Sequence, residues 1–118
     1  MGKRYAIVGF GCAGYHGLEA LRQSDPGSEI HVFSELDQPP ANPMLTTYYA
    51  AGRLPFEALF PFGSLEEVAR RLSPVLHMDT RVTALDKDSR ALVLADGARM
   101  EFDAILLATG ADPVVPPL

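Results

Sequence analysis

A chain of 118 residues is long enough for one domain with a real hydrophobic core and too short for two dinucleotide-binding domains. Its 47% apolar and 21% charged residues exclude a disordered or collagen-like chain, and no apolar run reaches the roughly 18 residues of a membrane span. Ten Lys and Arg against fifteen Asp and Glu leave a net charge of −5, which argues against a nucleic-acid surface.

The N-terminus carries no secretory signal and runs straight into strand-like sequence. Tyr5-Ala6-Ile7-Val8 is a short apolar run that predicts a buried strand. A glycine cluster follows, Gly9-Phe10-Gly11-Cys12-Ala13-Gly14. A helix is predicted from there to about Arg22, stopped by Asp25-Pro26-Gly27. Glu29 to Phe33 predicts a second strand, with Ile30 and Val32 on one face and His31 pointing off the polar face. Two strands joined by one helix imply parallel neighbours and a right-handed crossover.

Five prolines punctuate residues 36 to 63, so no long element is predicted there beyond a short helix within Met44 to Gly52. Ser64-Leu65-Glu66-Glu67 reads as a capping box, with Ser64 at the N-cap and Glu67 at N3. The helix it opens carries Leu65, Val68, Ala69 and Leu72 as one apolar stripe and closes at Pro74. From Leu76 the period changes to two. Val82, Ala84 and Asp86 alternate with Arg81, Thr83 and Leu85, and Asp96-Gly97 between two strand-like runs predicts a hairpin. Ala104 to Ala108 is apolar throughout, as in a strand covered on both faces. The proline-rich tail from Asp112 reads as a linker or crossover.

Gly9-x-Gly11-x-x-Gly14 fits the dinucleotide-binding pattern in its required context. A strand precedes it, a helix follows, and Glu35 lies 24 residues past Gly11 at the end of the next strand. Gly9 permits the tight turn. Gly11, lacking a Cβ, lets a pyrophosphate approach the backbone, and Gly14 lets helix and strand pack closely. The helix N-terminus, at Cys12 and Ala13, offers unpaired N–H groups to the phosphates. Glu35 is suited to accept hydrogen bonds from a ribose diol and to repel a 2′-phosphate; Ser34 is a second candidate at the same strand end.

Arg81 to Asp86, the turn Ala95-Asp96-Gly97, and Phe102 to Ala111 with its Ala108-Thr109-Gly110 strand end together resemble a known family. They look like the FAD-binding half of the pyridine nucleotide–disulfide oxidoreductase superfamily, most of all its ferredoxin-reductase-like and NADH-oxidase-like members. The stretch Glu35 to Gly52, including Ala41-Asn42-Pro43-Met44, is similar to the loop and short helix after the second strand in that family. The resemblance implies an α/β, Rossmann-like FAD-binding domain of the glutathione-reductase type, a parallel sheet with a small antiparallel β-meander. By the same resemblance, residues 1–118 would be an N-terminal FAD-binding domain. Residues 111–118 would begin the linker to an NAD(P)-binding domain not included here. Gly9, Gly11, Cys12, Ala13 and Gly14 would surround the FAD pyrophosphate. Ser34 and Glu35 would meet the ribose and Val82 the adenine. Asn42 and Ala108-Thr109-Gly110 would pass near the cofactor. The implied function is transfer of hydride from NAD(P)H to flavin and on to an unknown acceptor, with no catalytic residue on this chain. The chain alone is expected to hold FAD weakly or not at all, for want of the later segment that holds the isoalloxazine in relatives. Implied partners are the NAD(P)-binding and C-terminal domains or a partner subunit, with a homo-oligomer left open. A non-catalytic nucleotide-binding subunit and a single NAD-binding Rossmann domain are the alternatives.

The family's redox-active Cys-x-x-x-x-Cys pair has no counterpart here, since residues 36 to 63 contain no Cys, which argues against thiol–disulfide chemistry. Cys12, the one thiol, cannot form an internal disulfide and fits a reducing, cytoplasmic setting. It reads as a small packed side chain rather than a redox group. His16, His31 and His77 are too widely spaced to suggest a metal site. Tyr48, Tyr49, Phe56, Phe60 and Phe62 form an aromatic-rich stretch, read chiefly as packing.

Overall fold

The computed structural model describes residues 2–111 and 114–117. Strand β1 (Arg4–Val8) leads through the glycine turn into helix α1 (Cys12–Ser24) and strand β2 (Glu29–Phe33). A 3-10 turn (Pro43–Leu45), the short helix α2 (Thr46–Ala50) and a second 3-10 turn (Phe56–Leu59) fill the proline-rich stretch. Helix α3 (Leu65–Leu72) and strand β3 (Val75–His77) follow. The antiparallel meander β4 (Val82–Asp86), β5 (Ala91–Leu94) and β6 (Arg99–Glu101) precedes the last strand β7 (Ala104–Leu107). Val114 to Pro117 carry neither helix nor strand; Asp112, Pro113 and Leu118 of the predicted linker lie outside the described residues.

The main sheet has the order β3-β2-β1-β7, all parallel. Alternation divides its side chains between two cores. Ile7, Ile30 and Val32 pack with Tyr15 and Leu18 of α1 and with Val68 and Leu72 of α3. Ala6, Val8 and Phe33 point the other way, onto Leu92 and Leu94 of β5 and Phe102. The helices thus cover one face and the meander the other.

Local signals in the sequence account for most of these elements. The Ser64 hydroxyl accepts from the Glu67 N–H at 3.2 Å, and the Glu67 carboxylate accepts from the Ser64 N–H at 3.4 Å, completing the capping box. Ser64→Ala is expected to cost about 1 kcal/mol, measured by urea unfolding. Gly97, at φ +89°, turns β5 into β6. Arg22 holds the two helix ends together: its guanidinium donates to the carbonyls of Leu72 and Ser28 at 2.8 and 2.7 Å.

Three expectations change. His31 does not point to solvent: it is 6% exposed, because the meander covers the face it shares with Phe33. Strand β7 is not covered on both faces. It forms the sheet's edge among the described residues, and Leu107 is 58% exposed. The alternation in β4 breaks at a register shift between Val82 and Ala84, which leaves Ala84 exposed.

Candidate functional site

A cleft of about 900 Å³ opens where β1 and β2 end, within the usual size range of cofactor sites. The chain winds outward from β1 through β2 to β3 on one side and adds β7 on the other, so the cleft lies at the point where strand order reverses. Ligands of open α/β sheets bind at such points.

The glycine turn forms its floor. Gly9 adopts φ +104°, and its N–H donates to the Phe33 carbonyl at 2.8 Å. A Cβ on Gly9 would stand 2.1 Å from the Ala108 carbonyl oxygen, and one on Gly14 would stand 2.1 Å from that of Gly9. Those two glycines let β1, β7 and α1 approach. Gly11 differs, because a Cβ there would meet nothing within 4 Å. It serves as the N-cap of α1 without a side-chain cap, and the first turn carries no acidic residue. The first N–H groups of α1 therefore keep their affinity for an anion. An open glycine, bare amides and the positive helix end suit a pyrophosphate.

The predicted residues converge on this cleft. Gly9, Gly11, Cys12, Ser34, Glu35, Asn42, Val82, Thr109 and Gly110 line it. Ala13, Gly14 and Ala108 do not: Gly14 is buried under the turn, and Ala108 donates its N–H to the Val8 carbonyl at 2.8 Å. The Glu35 side chain is 70% exposed and lies 3.6 Å from the Arg81 guanidinium. Ser34 accepts from the Leu36 N–H through its hydroxyl, at 3.2 Å. Asn42 caps the first 3-10 turn by accepting from the Met44 N–H at 3.1 Å. The Cys12 thiol lies 3.6 Å from the Ala41 carbonyl oxygen, which ties the loop after β2 to the start of α1.

Sequence reasoning missed Phe10, Phe33 and Thr80 among the lining residues. Phe10 sits between two motif glycines and could have been noticed. Thr80 is placed by tertiary hydrogen bonding: its N–H donates to the Ser34 carbonyl at 2.8 Å. The aromatic stretch splits in two. Phe62 stacks on Tyr15 with ring centres 3.9 Å apart, while Tyr49, Phe56 and Phe60 pack edge to face.

Cys12 and Glu35 are the titratable side chains among the residues lining the cleft. No base stands beside the thiol there to make it a nucleophile. Such a lining can bind and orient a ligand, with any redox chemistry supplied by that ligand.

Residues 3–118 match the profile of the pyridine nucleotide-disulphide oxidoreductase family. The chain is 30% identical over 119 residues to the NADH-dependent phenylglyoxylate dehydrogenase subunit epsilon of Aromatoleum evansii, covering 98% of this chain and 27% of that protein. It is 32% identical over 108 residues to putidaredoxin reductase of Pseudomonas putida, covering 91% of this chain and 25% of that one. The crystal structure of the covalent putidaredoxin reductase–putidaredoxin complex superposes with a TM-score of 0.86 at 29% identity, over 98% of this chain and 27% of that one. The chain spans about a quarter of the length of the curated relatives it matches.

Proposed function

The chain belongs to the pyridine nucleotide-disulphide oxidoreductase family, and on that premise we propose that it is the FAD-binding domain of an NAD(P)H-dependent flavoprotein oxidoreductase. The observation that carries this reading is the open glycine cleft at the strand reversal. FAD, when bound, supplies an acceptor for nicotinamide hydride and a donor to an acceptor beyond these residues.

The chain's own part is placement. Backbone N–H groups from Gly11 to Gly14 hold the pyrophosphate, and the α1 dipole balances its charge. Glu35, beside Ser34, accepts from the ribose hydroxyls. Val82 meets the adenine ring. Asn42, together with Ala108-Thr109-Gly110, borders the cofactor toward the flavin.

Glu35→Ala tests the ribose contact. Affinity for ADP is expected to fall about tenfold or more, since a lost hydrogen bond to a charged acceptor is worth about 1.5–3 kcal/mol. Unchanged affinity by titration calorimetry would remove Glu35 from the site.

A second reading concerns assembly. One relative is named as the epsilon subunit of an NADH-dependent dehydrogenase. That name favours a role for this domain inside a multi-subunit enzyme, passing reducing equivalents to a partner chain.

A further inference from the structure

A line of titratable side chains runs beneath β2, on the face covered by the meander. Nε2 of His31 lies 2.7 Å from a Glu29 carboxylate oxygen, and Nδ1 of His31 lies 2.8 Å from Nε2 of His77. The two imidazoles are nearly coplanar, at 13°. Phe33 and Phe102 seal His31, and His77 lies flat on Phe33 with ring centres 4.4 Å apart. From β1, the Arg4 guanidinium donates to the same Glu29 oxygen at 2.8 Å and rests over the Phe102 ring. From the link before β7, Asp103 accepts from the Arg4 N–H at 2.7 Å. The meander faces this side of the sheet with Leu92, Leu94 and Met100, none of them titratable.

Proton counting gives this line a definite behaviour. With Glu29 ionised, the hydrogen of neutral His31 sits on Nε2, so its Nδ1 is bare and accepts from Nε2–H of His77. One added proton still leaves a single hydrogen between the two facing nitrogens, so the bond persists. A second added proton places hydrogens on both facing nitrogens, and the bond is lost.

The bond matters because of where His77 stands. It ends β3, and its carbonyl accepts from the Ser34 N–H at 3.0 Å. Thr80, three residues on, donates to the Ser34 carbonyl. Ser34, Thr80 and Val82 form the wall of the cleft assigned to the adenosine. Among the described residues, the His31–His77 bond is the polar side-chain tie between that wall and β2, added to the Phe33–His77 stack and the β2–β3 ladder.

We propose that Glu29, His31 and His77 form a proton-controlled clamp that positions the adenosine-side wall of the cleft, closed at neutral pH and released when the histidine pair takes up its second proton. Nucleotide affinity therefore falls on acidification; this part rests on the FAD reading above, whereas the clamp itself is a property of the free protein.

The direction of the shifts agrees. Burial, and then the charge of His31, hold His77 below the ordinary imidazole value. Hydrogen bonds from His31 and then Arg4 hold Glu29 below the ordinary carboxylate value. For both groups the unfolded chain takes up the proton first as pH falls. Their contributions to stability are complete above the unfolded values and are lost as pH falls through the folded ones, so the histidine release begins below about pH 6.5.

The test uses the free protein first. Nitrogen-detected histidine spectra at pH 7.5 are expected to show hydrogen on Nε2 of both His31 and His77. Amide exchange protection of residues 77–82 is expected to fall about tenfold between pH 7.5 and pH 5. In His77→Phe, which keeps a ring against Phe33, that protection is expected to change less than about twofold. Glu29→Gln, a surface change that leaves the core intact, is expected to move the release to lower pH by up to about one unit. FAD, which has no group titrating in this window, is expected to bind the wild type about tenfold more weakly at pH 5 and His77→Phe equally at both. Histidines titrating independently, or equal loss of protection in wild type and His77→Phe, would overturn the clamp. A clamp that releases without changing FAD affinity would overturn its link to the ligand. Absence of FAD binding at every pH would overturn the FAD reading and leave the exchange data to decide the clamp.

Discussion

Gly9→Ala is expected to destabilise the domain by about 3 kcal/mol or more, read from urea unfolding. Two costs coincide at this position. The backbone sits at φ +104°, where an L-residue is strained. The added methyl would also stand 2.1 Å from the Ala108 carbonyl oxygen and 2.6 Å from its carbon. These are backbone atoms following β7, held by the Ala108 N–H bond to Val8 at 2.8 Å. They cannot move aside without opening the β1–β7 ladder. On the other side, Gly9 donates to Phe33 and so couples β1 to β2. A loss below about 1 kcal/mol would contradict the close approach of the two chain segments.

Gly11→Ala is expected to do the reverse: the fold survives and the ligand is lost. Its φ of −87° suits any L-residue, and the new methyl meets no protein atom within 4 Å. The expected stability cost is under about 1 kcal/mol, the difference between glycine and alanine at an uncapped helix start. The same methyl would stand in the open space beside the first amides of α1, where the proposed FAD site puts the pyrophosphate oxygens. Affinity for ADP and FAD is expected to fall by at least about tenfold, measured by calorimetry. An unaltered affinity would mean that the glycine turn is structural only. The contrast between Gly9 and Gly11 separates the two duties that one glycine pattern combines.

Features set by neighbours in sequence were legible. The strand–turn–helix–strand order, the Ser64–Glu67 capping box and the Asp96-Gly97 turn all rest on contacts within a few residues. The glycine turn and the acidic residue after β2 also announced the cleft, and nine of the twelve residues named from sequence line it. What remained hidden depends on distant partners. An apolar strand such as β7 does not state which neighbours cover it, and its Leu107 proves largely exposed. His31 and His77 stand 46 residues apart in sequence and meet through the β2–β3 pairing. The Cys12 contact to Ala41 and the placement of Thr80 beside Ser34 arise the same way, from long loops folding back.

On the proposed function, this cleft holds the adenosine-pyrophosphate half of FAD. Calorimetric titration of the wild-type chain with ADP, FAD and NAD at neutral pH tests it most directly. Saturable binding of ADP and FAD is expected at about 10 μM to 1 mM, with FAD at least as tight as NAD and both weakened at least about tenfold in Gly11→Ala. No binding of ADP or FAD up to a few millimolar, or a clear preference for NAD over FAD, would contradict it.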